Sequence, residues 1–406
     1  MISVCKNILL PLVVLSALLG LPGCKDLQEV DALNIVLALG IDQTSDHQIL
    51  VTAEIVDPSS AQGQGPTGGG GQRTQATFLR EQTGTTIEKA LDKFDENVAR
   101  NIFLPHNTVV VFGKSYAEHG IDEAMDYLER NRNFRRNQLF VVTDSTANEL
   151  LKASGKPEFY NASAIRALVE QGVNKSVAVN STQLSVMRQY LRPSHAPNLA
   201  YVTLVNSRLC QCGIGLFDGG QYKGHIVSQD AQALLLFIQD TQQTEITLPC
   251  PGSDSVQSDL GNTFRILNTH THVVPVVRGN DIQFLLRVRG RAEIERLCPG
   301  SKPTEKTYTK WESELDSDIQ TRMQRILEYL QTENLDSVDF ANVLFENQPE
   351  VWRQIANRWK SVFPNVKVHY DIQIQLLRHG LSSQSPDVDY SPKGLPPLAG
   401  RGGKIS

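Results

Sequence analysis

The sequence predicts an α/β protein of the mixed α+β kind, with a three-domain globular body and mixed and antiparallel sheets. Two observations predict this class. Short β-rich apolar runs alternate with segments whose apolar residues recur at helical spacing. The composition, 40% hydrophobic and 20% charged over 406 residues, is that of chains that bury real cores. The net charge of −5 gives no basic excess, which argues against a dedicated nucleic-acid-binding protein.

Residues 1–23 predict a lipoprotein signal peptide. Lys6 precedes about a dozen mostly apolar residues, fewer than the roughly 20 that a membrane-spanning helix needs. Leu21-Pro22-Gly23-Cys24 resembles the bacterial lipobox, so we expect diacylglycerol on Cys24. Two acyl chains anchor a protein stably, whereas one binds only marginally. An ordinary cleaved signal and an uncleaved anchor are the alternatives.

An N-terminal α/β domain is expected at residues 24–192. Strands at 34–42 and 49–56 form a hairpin, and a third strand covers 78–82. The glycine-rich stretch 63–71 lacks the Gly-Lys-Ser/Thr ending of a phosphate-binding loop, so it predicts a flexible surface loop. Further strands are predicted at 108–112 and 138–143, and helices from Thr85 or Thr86 and at 116–130, 146–153, 162–173 and 183–191.

A proline-bounded linker at 192–197 predicts a change of domain. A small strand-rich middle domain is expected at 193–240, in which 231–238 could be helix or strand. Its strands are predicted at 201–206, 213–217 and 222–227.

A C-terminal α+β domain is expected at 241–381. Apolar residues three or four apart predict a long amphipathic helix over 308–330, and Trp352, Ile355 and Trp359 share one face of a second helix. Residues 284–288 predict a strand, and strict alternation over 366–376 predicts another with one wet face, in an antiparallel or edge setting. Residues 382–406 predict a disordered tail.

The cysteines suggest one disulfide. Cys250 and Cys298 share a local Cys-Pro-Gly-Ser pattern, and an exported protein can hold disulfides, so a Cys250–Cys298 bond is a candidate. Cys210 and Cys212 are expected to be small buried hydrophobes, because their spacing matches zinc sites poorly.

No catalytic, cofactor or metal site is predicted. None of the common hydrolase or metalloprotease motifs occurs in the sequence. His270 and His272 are expected on a solvated strand face. The acidic residues of the long helix, Glu312, Glu314, Asp316 and Asp318, are expected to be solvated charges. The basic segment 131–136 is expected to protect a sheet edge, with partner docking or lipid-headgroup contact as the alternative.

Several short motifs follow one another along the chain. The first are Gly23-Cys24-Lys25-Asp26 and a strand and turn ending in Gly40-Ile41-Asp42. The remaining motifs are an Arg-strand-helix stretch from Arg135 to Leu151, a strand pair from Gly213 to Gly224, Ser337-Val338-Asp339-Phe340, Trp352, Trp359, and the final strand before Gly380-Leu381. The order of these motifs resembles the Ger(x)C family of spore germination lipoproteins, which usually has Trp where this chain has Lys25.

This resemblance implies the C subunit of a nutrient-germinant receptor. It implies a three-domain lipoprotein on the outer face of the spore inner membrane, which works with integral membrane A and B subunits. It also implies no enzymatic activity and no cofactor, with membrane lipid contacted through acylated Cys24. A lipid-anchored extracytoplasmic solute-binding protein and a cell-envelope hydrolase are the alternative hypotheses.

Overall fold

The computed structural model describes residues 33–57, 76–96, 100–153, 155, 158–250, 261–279 and 281–378. The expected signal peptide 1–23, Cys24, the glycine-rich stretch 63–71 and the tail 382–406 lie outside the described residues. The described part of the chain has the expected mixed α+β architecture, built on two sheets.

The first sheet has the strand order β3-β2-β1-β5-β6-β7-β8-β9, with β4 beside β1. Its strands are β1 (Leu33–Gln43), β2 (Ile49–Val56), β3 (Thr77–Gly84), β4 (Asn101–Phe103), β5 (Val109–Phe112), β6 (Leu139–Val142), β7 (Asn198–Val205), β8 (Arg208–Asp218) and β9 (Gln221–Val227). Its helices are α1 (Ile87–Glu96), α2 (Lys114–His119), α3 (Asp122–Arg130), α4 (Ala147–Lys152), α5 (Asn161–Asn174), α6 (Gln183–Tyr190) and α7 (Ser228–Ile238).

Parallel pairing is confined to the centre of this sheet. The strands β1, β5, β6 and β7 pair in parallel, and the short β4 is also parallel to β1, whereas β1-β2-β3 and β7-β8-β9 are antiparallel. Every residue of β5 and β6 is buried, because helices cover both faces. Alternate residues of these strands enter two cores, one with α1, α2, α3 and α6 and the other with α4 and α5. This explains why β5 and β6 are continuous apolar runs without alternation.

The structure differs from the expected separate unit at 193–240. Its strands continue the first sheet, since β7 pairs with β6 through Val141 with Ala200 and Val142 with Tyr201. Residues 198–202 are all buried, so β7 needs cover on both faces and obtains it inside the large sheet. The ambiguous segment 231–238 is helical, in α7.

The second sheet has the order β10-β11-β12-β13, antiparallel except for the parallel pair β12–β13. Its strands are β10 (Thr244–Pro249), β11 (Gly261–Arg278), β12 (Asp281–Arg296) and β13 (Lys367–Leu376). The helices that follow β12 are α8 (Glu305–Thr332), α9 (Phe340–Asn347), α10 (Pro349–Ile355) and α11 (Trp359–Val362). The predicted edge setting of the last strand is confirmed.

Two acidic side chains of α8 hold the edge strand β13, so the expectation that they are solvated is wrong. The backbone N–H of Ile374 donates to Asp316 Oδ1 at 2.8 Å, and that of Leu376 donates to Glu312 Oε1 at 2.9 Å. Partial burial raises the pKa of Asp316 to about 6. Glu312 and Asp316 lie four residues apart on one helix face, which points both carboxylates at the free N–H groups of the edge.

Three described cysteines, Cys210, Cys250 and Cys298, are disulfide-bonded. Cys250 after β10 is bonded to Cys298 after β12, with a Cα–Cα distance of 5.8 Å. Cys210 is half-buried in β8 and disulfide-bonded, so the expectation of a buried free cysteine is wrong for this residue. Cys210 does not belong to the hydrophobic cores, so it does not have the role of a small buried hydrophobic residue.

Candidate functional site

Two motifs of the family resemblance meet at Asp42. This carboxylate lies at the end of β1, almost fully buried, and accepts the backbone N–H groups of Ala147 at 2.8 Å and Asn148 at 3.0 Å in the first turn of α4. A Cβ on Gly113 would stand 1.8 Å from Asp42 Oδ1, so a glycine is required beside it. The Gly-x-Asp turn therefore anchors α4 on the sheet, and its carboxylate is occupied as a helix cap.

The C-terminal motif forms a second anchor. The carboxylate of Asp336 accepts the backbone N–H groups of Phe340 and Ala341, at 2.9 and 2.7 Å, and the indole N–H of Trp359 at 2.9 Å. Asp336 is buried, and this burial raises its pKa to about 7. The motif residues Phe340 and Trp359 are thus joined by a carboxylate just upstream of the motif. Its role in the structure is to hold α9 and α11 together.

His270 and His272 are both exposed on β11. The Nδ1 atom of His270 lies 2.8 Å from Asp240 Oδ2. Within the described residues, no group of three or more His, Cys, Asp or Glu side chains is placed to hold a metal ion. A cluster of titratable rings lies at β7–β9, where Tyr201 stacks on His225 at 3.8 Å and the hydroxyl of Tyr222 lies 2.9 Å from His225 Nδ1. Burial lowers the pKa of His225.

The basic segment 131–136 is partly neutralised. Arg136 pairs with Glu129, and the neighbouring Arg130 pairs with Asp126 at 2.7 Å. The segment leads into β6, which is a central strand and not an edge, so the expected role of protecting an edge is wrong.

No helix of the described part of the chain is long and apolar enough to cross a membrane.

A cavity of about 380 Å³ opens where the two sheets meet, and we call it the inter-sheet cleft. Its walls come from α6, from the segment 192–198, from the end of α7 and from residues 337–339. Most of the lining is polar, with two arginines (Arg188 and Arg192) and one carboxylate (Asp339). Cavities at junctions between structural units, with a few convergent polar groups, are the usual setting of small-molecule sites.

Polar contacts join the two sides of this cleft. Arg192 Nη1 lies 2.6 Å from Asp339 Oδ2, and Ser194 Oγ donates to Asp339 Oδ1 at 2.7 Å. Asn198 Nδ2 donates to the carbonyl of Ser337 at 3.0 Å. Asp339 has a left-handed backbone, with φ of 64°, at the start of α9. Burial raises the pKa of its carboxyl, against the lowering effect of Ser194 and Arg192.

Sequence reasoning missed the cleft. Its two sides lie about 140 residues apart in the chain, so no local pattern joins them. The sequence contains two separate signals of the cleft, the polar linker around Ser194 and the motif Ser337-Val338-Asp339.

Two family models match the chain in succession. Residues 26–204 match the spore germination protein N-terminal domain, and residues 212–380 match the C-terminal domain described as spore germination B3/GerAC-like. The first match ends in β7 and the second begins in β8, so they divide the chain inside the first sheet.

Full-length relatives show the same similarity. Spore germination protein KC of Bacillus subtilis (strain 168) is 23% identical over 404 residues, covering 93% of this chain and 97% of its own. Spore germination protein B3 of the same organism is 21% identical over 378 residues, covering 89% and 96%. The crystal structure of the GerBC protein superposes with a TM-score of 0.51 at 15% identity, over 84% of this chain and 96% of that one, which shows a shared fold.

Proposed function

The chain belongs to the GerAC-type family of spore germination proteins, and we propose that it is a lipid-anchored, non-enzymatic subunit of a germinant receptor. The observation that carries this proposal is the tandem match of both family domains, together with a relative matched over nearly its whole length. In this proposal the subunit acts with integral membrane A and B subunits in nutrient-triggered germination.

The proposed location is the outer face of the spore inner membrane, with acylated Cys24 as the anchor. The anchor matters physically because it confines the folded body to the membrane surface. Confinement raises the effective concentration of this body beside membrane partners, so modest interfaces suffice for assembly. A chain of net charge −5 has no overall attraction to anionic headgroups, which leaves this task to the lipid.

The non-enzymatic role is supported by how the buried acids are used. Asp42, Glu54 and Asp336 are the buried carboxylates most like catalytic groups, and each accepts hydrogen bonds from the backbone N–H groups of a helix. A buried carboxylate that binds the start of a helix in this way has a structural role in the fold. A solute-binding protein would place its cleft between similar lobes, whereas the two sides of this cleft come from dissimilar parts of the fold, one built on a nine-stranded sheet and the other on a four-stranded sheet with its helices.

The test is affinity purification of the tagged, full-length chain from spore membranes, with mass spectrometry of its partners and its N-terminal peptide. We expect a diacylated Cys24 peptide and two co-purifying polytopic proteins. The matched variant Cys24→Ala should keep the folded body and lose both the lipid and the germination response. Normal germination with Cys24→Ala, or a lipidated chain without membrane partners, would contradict the proposal.

A further inference from the structure

Helices cover one face of the second sheet and leave the other face open. The inner face contributes Phe284 and Leu286 to the core that the sheet shares with α7, α8 and α9. Successive residues of a strand point to opposite faces, so alternate residues of 268–276 in β11, 283–291 in β12 and 367–375 in β13 point outward, beginning with the first of each range. Among these described positions, no outward side chain is buried. We call the surface that they form the outer face.

Cations outnumber acids on the outer face. Arg287, Arg289 and Arg291 occupy successive outward positions of β12, and Lys367 lies on the neighbouring strand β13. Arg287, Arg291 and Lys367 are exposed. The single acid at these positions is Asp371, whose Oδ2 accepts from Arg289 Nη2 at 2.6 Å. The outer face therefore has a net positive charge, on a chain whose overall charge is −5.

The acids beside the outer face have basic partners of their own. Asp240 Oδ2 lies 2.8 Å from Nδ1 of His270, and Asp281 stands opposite Arg278 in the register of the β11–β12 hairpin. The carboxylates at the far end of the sheet, on β10 and β12, surround Arg265. The excess positive charge thus lies in the middle of the outer face.

Apolar side chains adjoin these cations towards the hairpin. Val274 and Leu285 point outward opposite each other on β11 and β12, and both are half-buried. The registers place His272 opposite Arg287 and His369 opposite Leu285, so an exposed imidazole lies on either side of β12. A surface that combines basic and apolar side chains is typical of elements that lie on a membrane.

We propose that the outer face docks the folded body on an anionic phospholipid surface. Arg287, Arg291 and Lys367 contact the headgroup phosphates, and Val274 and Leu285 contact the apolar boundary beneath them. An open sheet face has no enclosing walls, so it suits an extended anionic surface, whereas a small anion is bound in a concave site.

The charge distribution of the chain gives this docking a direction. Anionic headgroups attract basic residues that lie within a Debye length of the surface, and they repel the acidic remainder of the body. This inference rests on the proposed lipid anchor. The anchor holds the body at the membrane, and the outer face determines which side of the body turns towards it.

The test is histidine modification by diethyl pyrocarbonate, read by mass spectrometry, on the full-length lipidated chain bound to preformed vesicles. One set of vesicles is phosphatidylcholine, and the other is equal parts of phosphatidylcholine and phosphatidylglycerol. We expect His272 and His369 to react about threefold more slowly on the phosphatidylglycerol vesicles, and to regain their rate in high salt, which screens the attraction. His47 and His119 are exposed residues of the part built on the first sheet, and they should react alike on both.

Two outcomes would overturn the proposal. One is that His272 and His369 react equally on both kinds of vesicle, or are slowed no more than His47 and His119. The other is that His272 and His369 are protected in spore membranes but not on phosphatidylglycerol vesicles, which would assign the outer face to a protein partner.

Paired substitutions locate the effect. Arg287→Gln with Arg291→Gln should abolish the slowing at His272 and His369, and the thermal midpoint should not change because both side chains are exposed. Arg132→Gln with Arg135→Gln removes the same charge from the exposed segment 131–136 and should retain the slowing. An equal loss in this control would contradict the assignment to the outer face.

A further variant covers the case in which the first pair does not fold. Lys367→Gln changes one exposed side chain at the start of β13, and it should reduce the slowing at His369. Unchanged slowing in Lys367→Gln and in the folded arginine pair would overturn the proposal.

The outcome is separable from that of the proposed receptor role. Co-purification of membrane subunits with equal histidine rates on both kinds of vesicle would remove the docking face and leave the receptor role. Slowing of His272 and His369 on phosphatidylglycerol vesicles, for a chain that has no membrane partners, would retain the docking face and remove the receptor role.

Discussion

Three buried carboxylates each hold the start of a helix; that helix is distant in sequence from Asp42 and Glu54, and it begins 4 residues after Asp336. Asp42, Glu54 and Asp336 each accept two backbone N–H groups from the first turn of a helix, at 2.7–3.0 Å. The N-terminus of a helix carries unsatisfied N–H groups and a partial positive charge, so an ionised acid is well placed there. Burial of the carboxylate raises its pKa in all three cases, which opposes ionisation. These side chains are anchors of the fold, although their burial and titration resemble those of catalytic acids.

The first prediction concerns Asp42→Asn. The amide has one oxygen in place of two, so it can accept from Ala147 or Asn148 with that oxygen but presents an N–H to the other. We expect the free energy of unfolding in urea to fall by about 1–3 kcal/mol. Asp126→Asn, an exposed partner of Arg130, is the control and should change it by less than about 1 kcal/mol. Equal effects of the two variants would contradict the anchoring role.

The second prediction concerns pH and Asp336. Its pKa rises from an ordinary 3.8 to about 7 on folding, so the native state holds this proton more tightly than the unfolded state. The resulting stabilisation is complete below about pH 4 and is lost as the pH rises through 7. Relative to Asp336→Asn, which does not titrate, the wild-type free energy of unfolding should therefore fall between pH 5 and pH 8.

Urea unfolding followed by tryptophan fluorescence measures this difference, since Trp359 contacts Asp336 directly. Asp316 also titrates, with a pKa of about 6, but it is present in both proteins and its effect cancels. A difference between wild type and variant that stays constant over pH 5–8 would show that Asp336 does not titrate in this range.

At the scale of secondary-structure elements, two kinds of contact restrain the second sheet besides its own ladder hydrogen bonds. A disulfide joins the ends of two strands, and a helix binds one edge strand. The Cys250–Cys298 bond ties the chain after β10 to the chain after β12, 48 residues later. At the other edge, Glu312 and Asp316 of α8 accept the N–H groups of β13. The disulfide and the two carboxylates thus restrain β10 and β13, the edge strands, which have a ladder partner on one side only.

The third prediction is that Cys250→Ser with Cys298→Ser lowers the free energy of unfolding by about 2–4 kcal/mol, because the loop of the unfolded chain is no longer closed. Urea unfolding without reductant measures the loss. Each single variant should lose as much as the double variant, since one remaining cysteine cannot form the bond. Additive losses, or the absence of a 250–298 linked peptide in non-reducing mass mapping, would contradict the bond.

In the molecule as a whole, one hydrophobic core runs from the first sheet into the second. It includes Ile214 and Ile226 of the β8–β9 hairpin, Leu234 of α7, Phe264 of β11 and Leu315 of α8. Ion pairs cross the same junction, Lys360 with Asp218 at 2.7 Å and Arg325 with Asp230 at 2.5 Å. Exposed pairs contribute little stability, so the shared core is what joins the two sheets.

The fourth prediction is therefore a single cooperative unfolding transition for the whole chain. Differential scanning calorimetry should show one peak, with the calorimetric enthalpy equal to the van't Hoff enthalpy. Leu234→Ala removes a fully buried side chain at the junction, and it should lower the midpoint of the whole peak without splitting it. Two resolved transitions in the wild type would show that the sheets unfold independently.

Local patterns in the sequence were enough to predict most elements. Alternation in residues 366–376 predicted β13 at an edge, and the apolar stripe from Tyr308 to Leu330 predicted α8, because burial of one face imposes a period on the chain. The order of short motifs also indicated the family. The lipid on Cys24 and the outer bounds of the first and last domains stay predictions.

Long-range contacts settled what these patterns left open. The β6–β7 pairing absorbed the expected middle unit into the first sheet, and residues about 140 positions apart formed the inter-sheet cleft. The roles of Asp42 and Asp316 could not be read from their neighbours in the chain, since each binds backbone groups of a distant element. Asp336 binds the nearby start of α9, and its link to the indole of Trp359 depends on tertiary packing. The physical reason is that periodicity records which face of an element is buried, whereas the partner on that face depends on how the whole chain packs.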